Sequence, residues 1–179
     1  MKEFFELIEK RESCREFDIT KLVEHDKLIA CIKAARLAPS ACNSQPWHYT
    51  VVSNPDLCQK LRPALQDMRM NAFVKDCPVF IVVSEVDAGP MATVGGRIKD
   101  QHYALIDIGL SVSQLCLAAT TQGLSTCILG WFDEKALKRL CKLPQIRRVR
   151  LVICIGYART DAHRKKLRKD LDEIAAFWN

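Results

Sequence analysis

The chain contains no G-x-G-x-x-G and no G-x-x-x-x-G-K-[ST], so neither a Rossmann dinucleotide site nor a P-loop is expected. Its nine cysteines, at 14, 31, 42, 58, 77, 116, 127, 141 and 154, never come within ten residues of one another. That spacing leaves no C-x-x-C pair and argues against a local zinc or iron–sulfur motif; reduced, buried, structural cysteine is expected. No apolar run reaches the roughly 18 residues of a membrane span. The first residues, Met1 to Glu6, carry early acids and no uninterrupted apolar core, unlike a secretory signal, and a cytoplasmic protein is expected. Aromatic residues are few, 7%, and acids are nearly missing from one stretch: residues 135 to 169 hold thirteen Lys or Arg against the single Asp161. That stretch reads as a solvated basic face, a nucleic-acid surface, or a site for small phosphorylated ligands. No nucleic-acid motif is present, and the three Tyr and three Trp are not interleaved with the basic run, so no nucleic-acid partner is expected.

What is present fits an ordinary globular protein: 179 residues, 49% hydrophobic, 27% charged, net charge +6. This length favours one domain over 1–179. Helical spacing of Phe4, Phe5, Leu7 and Ile8 predicts a helix over 2–10, and a second is expected over about 24–37. Residues 47–53 read as a strand. Asn54-Pro55-Asp56 reads as a helix start, with Asn as N-cap, to about Asp67. Residues 78–84 form a continuous apolar run typical of a buried strand. Ala88-Gly89-Pro90 and Gly95-Gly96 predict a loop over 85–100. Tyr103 to Gln122 is the longest helix pattern, nearly all apolar or small, closed by Gly123. A strand over 125–129, a helix from Asp133 to about Cys141 and a buried strand over 149–157 complete the pattern. Strands apolar throughout imply helices on both faces. Leu171, Ile174, Phe177 and Trp178 have no obvious partner within the chain.

Residues 39–47, Pro39-Ser40-Ala41-Cys42-Asn43-Ser44-Gln45-Pro46-Trp47, hold the most information. Two prolines bracket hydroxyl and amide side chains that can bond a planar heterocycle with donors and acceptors on its edge. A plain turn with local Asx and Ser hydrogen bonds is the alternative. This motif does not stand alone: along the chain it is accompanied by Arg11-Glu12-Ser13-Cys14-Arg15, Ala34 to Ser40, Asp107-Ile108-Gly109, Leu117-Ala118-Ala119, Ile128-Leu129-Gly130-Trp131-Phe132-Asp133, Ile155-Gly156-Tyr157 and the basic run Lys165 to Lys169. The ordered set resembles the nitroreductase family of flavin enzymes along nearly the whole chain, most weakly over 85–101.

The resemblance implies an α+β, three-layer α/β/α fold with a mixed, mostly antiparallel central sheet. It implies FMN as cofactor, NADH or NADPH as co-substrate, and ping-pong reduction of nitroaromatics, quinones or similar small-molecule acceptors, with hydride taken onto flavin N5. Arg11, Ser13, Arg15, Lys166 and Arg168 would hold the phosphate and ribityl chain. Pro39, Ser40, Ala41 and Asn43 would close over the ring from a partner subunit, and Asn71 would read its pyrimidine edge. Ile128, Leu129 and Gly130 would line the ring, with the backbone N–H groups of Leu129 and Gly130 toward N5 and O4. The resemblance further implies a homodimer that exchanges a tail of about 167–179. No catalytic side chain is named, because the flavin carries the chemistry. Glu12 departs from the family pattern by placing an acid between two arginines. The dehalogenating and flavin-destroying branches use a tailored lid, which a loop over 85–100 would not supply; an open pocket is expected. A non-catalytic flavin- or nucleotide-binding sensor is the alternative function, and a basic RNA-binding module a third.

Overall fold

The computed structural model describes residues 1–161 and 164–178; of the expected tail, Asn179 lies outside them. Its elements in chain order are α1 (Lys2–Lys10), α2 (His25–Arg36), β1 (Trp47–Val52), α3 (Pro55–Leu65), β2 (Val79–Glu85), α4 (Gly89–Lys99), α5 (Tyr103–Thr121), β3 (Ser125–Leu129), α6 (Glu134–Leu140), β4 (Val149–Gly156) and α7 (Leu171–Ile174). Caps sit where their chemistry places them. Asn54 Oδ1 accepts from the Leu57 N–H at 3.0 Å, and Asp133 Oδ1 from the Ala136 N–H at 3.0 Å.

The strands form one sheet in the order β1-β2-β4-β3, every pair antiparallel. Because successive side chains point to opposite faces, β2 feeds two cores. Val79, Ile81 and Val83 face α2 and α5, while Phe80 and Val82 face the side of Leu61, Leu65 and Leu137 from α3 and α6. This is the expected three-layer α+β arrangement. Each fully buried Leu or Phe contributes about 1.5–3 kcal/mol. Seven cysteines (14, 31, 58, 77, 116, 127 and 154) are buried and none is bridged. Burial pushes the Cys31, Cys58 and Cys127 thiols up to about 11, so they are inert packing groups.

Two findings depart from expectation. Residues 89–99 are helical rather than a loop. Pro90 suits the first turn, and Ala92 and Gly96 are buried. Gly96 is there because a Cβ would lie 2.6 Å from the Gln101 carbonyl oxygen, which accepts no closer approach. Of the glycines that suggested a loop, Gly96 thus serves close packing, while a Cβ at Gly89 or Gly95 would meet nothing within 4 Å. Secondly, α5 is long and apolar enough by length and composition to cross a membrane, although Asp107 and its serines interrupt any pure apolar run. Eight of its residues, Ile108, Val112 and Leu115 among them, are buried in the α2–sheet core, while Leu105, Ile106 and Leu110 remain exposed.

The sheet's two edges differ. Beyond β3, Ser13 and Cys14 lie alongside it, and residues 16–18 pair with 157–159 after β4. Ser13 bridges Thr126 in parallel, the Cys14 N–H donates to Thr126 O at 2.9 Å, and Phe17 pairs with Ala158. At the other edge, β1 starts directly from the 39–46 loop.

Candidate functional site

The expected site residues fall into three groups. The first lines a cavity of about 330 Å³ formed by Arg11, Glu12, Ser13 and Arg15 with residues 164–168. Pairing with β3 fixes the backbone of 13–15. The facing segment is fastened by two cations. Lys166 Nζ donates to the carbonyl oxygens of Ile8 at 2.9 Å, Arg11 at 2.6 Å, and Glu9. It therefore caps the C-terminus of α1, where lone carbonyls and the helix dipole favour a cation. Burial, then the nearby Arg11 and Arg168 guanidiniums, lower the Lys166 pKa.

Arg164 supplies the second fastening. Its guanidinium donates to Ser13 O at 2.5 Å and its N–H to Glu12 Oε2 at 3.2 Å. Glu12 thus holds the C-terminal segment against 11–15, which explains an acid between arginines. The sequence reading missed Arg164. Its only signal was the start of the basic run, and nothing in the spacing separated it from a solvated charge. Arg15 lies with its guanidinium carbon 5.9 Å from the Phe73 ring centroid, a cation–π contact. The cavity therefore gathers Arg11, Arg15, Arg164, Lys165, Lys166 and Arg168 around Ser13. Such a donor set suits a dianionic phosphate.

The second group sits further along the same edge. Asn71 is held in left-handed backbone (φ 57°) and its Nδ2 donates to Leu65 O and Trp131 O, both at 3.1 Å. The side chain ties the end of α3 to the segment after β3, leaving Oδ1 as its available acceptor among the described residues. Leu129 is buried, Ile128 half-exposed, and Gly130 is on the surface. A Cβ built at Gly130 would meet nothing within 4 Å, so space is open beside this backbone.

The third group, Pro39, Ser40, Ala41 and Asn43, lies at the far edge of the sheet. The loop is tightly built. Asp107, buried on α5, accepts from the Ala41 N–H at 3.1 Å, and Ser40 Oγ accepts from the Gln45 N–H at 3.0 Å. Cys42, Asn43 and Gln45 all have positive φ, 53°, 52° and 48°, a strained choice for non-glycine residues. Ser44 Oγ is buried and has no hydrogen-bond partner among the described residues. Between this loop and the first two groups stand β2 and β4, and strands are spaced about 4.8 Å apart. One chain therefore unites the first two groups and does not bring the third to them.

The profile of the Nitroreductase family matches residues 8–68 and 65–157. An oxygen-insensitive NADPH nitroreductase of Helicobacter pylori (strain J99) is 22% identical over 94% of this chain and 94% of its own length. Iodotyrosine deiodinase 1 of Mus musculus is 27% identical over 96% of this chain and 68% of its own length. That similarity puts a dehalogenating enzyme among the relatives of the chain, while the 85–100 segment contributes the single helix α4. Among solved structures, a candidate nitroreductase from Exiguobacterium sibiricum in complex with FMN superposes with a TM-score of 0.82 at 22% identity, covering 97% of this chain and 96% of that one. The ordered motifs, the three-layer fold and a profile match spanning most of the sequence agree: the chain belongs to the nitroreductase family.

Proposed function

We propose that this protein is an FMN-dependent, NAD(P)H-linked oxidoreductase that works as a homodimer on nitroaromatics, quinones or similar small-molecule acceptors. The observation that carries the reading is the cavity at the β3 edge, where cations from both ends of the chain surround Ser13 and the one carboxylate, Glu12, already accepts from the Arg164 N–H. The residues present fit FMN. A cationic cavity of about 330 Å³ is followed along one sheet edge by an unused Asn71 acceptor and by open space at Gly130.

In this reading Arg11, Ser13, Arg15 and Arg168 hold the phosphate, and Lys166 and Arg164 position the segments that carry them. Asn71 Oδ1 offers an acceptor to the imide edge of the ring, and the main chain at Leu129 and Gly130 offers donors to the other edge. Preorganised donors there favour the more electron-rich state, as in an oxyanion hole. FMN, when bound, supplies the two-electron chemistry. A second subunit's 39–45 loop then excludes water from the other side, its shape set by Asp107. The dimer reading draws on Leu105, Ile106 and Leu110 of α5 and on Leu171, Ile174, Phe177 and Trp178, all exposed in the single chain. A two-fold partner covers both tails symmetrically.

The test is spectroscopic. Purified protein should be yellow, release FMN rather than FAD, bleach with NADH or NADPH, and recolour on adding an acceptor from a panel of a nitroaromatic, a quinone and an iodotyrosine. A yellow protein that no pyridine nucleotide bleaches would favour the sensor reading; a colourless one that reconstitution leaves colourless would sink both.

A further inference from the structure

A second cavity, about 890 Å³, shares no residue with the β3-edge cavity. It opens between the end of β2, the first turn of α5, one side of α4 and the 144–148 loop. Its size is that of a pocket for a small organic molecule. Ala92, Tyr103, Pro144 and Ile146 give it an apolar wall.

Four guanidiniums also line it. Arg150 is paired with Glu85 at 2.5 Å and Arg148 with Glu134 at 3.1 Å. Arg97 and Arg147 have no side-chain hydrogen bond or ion pair among the described residues. The lining carboxylates do not neutralise them: Asp87 Oδ1 accepts from the Gly89 N–H at 3.0 Å, and Asp100 ends α4 in left-handed backbone, neither within ion-pair reach of Arg97 or Arg147. Arg147's charge is felt at His48, whose pKa falls below the ordinary value through burial and then through this guanidinium. The positive end of the 19-residue α5, with no acid in its first turn, faces the same space.

We propose that this cavity is a second ligand site, taking a small organic anion whose carboxylate or phosphate sits between Arg97 and Arg147 and whose apolar body lies against Tyr103 and Ile146. Two sources share that chemistry: an anionic electron acceptor, and the phosphate-bearing adenosine half of a pyridine nucleotide. Titration calorimetry on the protein as purified separates them, with 4-nitrobenzoate, adenosine 2′,5′-bisphosphate and neutral nitrobenzene as probes.

At least one anion should bind more tightly than nitrobenzene. Arg97→Gln and Arg147→Gln should each weaken it about tenfold, the scale of one charge-assisted hydrogen bond. Arg97→Lys, which keeps the charge, should retain most of the affinity and guards against misfolding as the cause. Arg15→Ala, in the other cavity, should leave it unchanged. Tighter 4-nitrobenzoate identifies an acceptor subsite, and tighter bisphosphate a nucleotide subsite. The proposal is overturned if neither anion binds, or if Arg15→Ala abolishes binding while the Arg97 and Arg147 variants do not. Because heat rather than turnover is read, failure of the redox assignment leaves this result interpretable.

Discussion

The two edges of the sheet are built differently. At the β3 edge, residues 11–15, 71, 128–130 and 164–168 converge within one chain, fastened by main-chain pairing and by Lys166 and Arg164 on carbonyl oxygens. At the β1 edge, the 39–45 loop is equally well determined, through Asp107 and three positive-φ residues, yet it has nothing of the site beneath it in its own chain. Strain held in place by a buried carboxylate marks a loop whose shape the surrounding structure determines. In the proposed dimer, the β3 edge is the binding half from one subunit and the loop at the β1 edge the covering half from the other.

The largest effect that sharpens this contrast is expected at Lys166. Lys166→Ala should uncap α1 and release the 164–168 segment, weakening FMN binding by about 3 kcal/mol, roughly two orders of magnitude; fluorescence titration of apo-protein measures it. An unchanged Kd would mean that the segment does not depend on its carbonyl contacts. Arg15→Ala and Arg168→Ala should each cost about 2 kcal/mol in the same titration, while Lys169→Ala, with no assigned contact, should be near neutral. Equal behaviour of all three would refute the phosphate assignment.

At the other edge, Asp107→Ala should leave the Ala41 N–H without its acceptor and lower unfolding free energy by about 1–2 kcal/mol. Turnover should fall while intrinsic FMN affinity stays close to that of the parent, because the β3 edge is untouched. A variant that loses FMN as severely as Lys166→Ala would erase the distinction between the two halves.

The smallest effect lies away from both edges. The Tyr157 hydroxyl, donating to Glu24 at 2.6 Å, and Lys27 at 3.2 Å hold the Glu24 carboxyl down to about 2, against 4.5 ordinarily. A depressed carboxyl stabilises the fold above its unfolded pKa, and that contribution disappears as pH falls through the folded value. Glu24→Gln should therefore be slightly less stable than the parent at pH 7, with the gap closing between about pH 4.5 and 2. A gap that persists at pH 2 would show another origin.

Much of this was legible in the sequence. Asn54 and Asp133 marked helix starts, continuous apolar runs marked strands buried on both faces, and the family resemblance singled out Arg11, Ser13, Arg15, Lys166 and Arg168, which line one cavity. What escaped has identifiable causes. The helix over 89–99 was hidden because Gly96 is selected for close packing, a tertiary reason with a local signature of looseness. Arg164 and the capping task of Lys166 were hidden because a basic run looks alike whether it is solvated or aimed at carbonyls 150 residues away in sequence. The separation of 39–45 from 11–15 depends on strand order, which periodicity along one strand does not encode.

The central claim is that each site takes its binding half from one chain and its covering half from the other. The most direct measurement uses mixed dimers of Arg15→Glu and Asp107→Ala subunits, co-expressed with different tags and isolated by both. Two-fold symmetry leaves one site with both lesions and the other with neither. The account predicts that each variant homodimer is nearly inactive and that the mixed dimer recovers about half the parent's turnover and FMN content. Mixed dimers no more active than the average of the two homodimers would place both halves in one chain and contradict it.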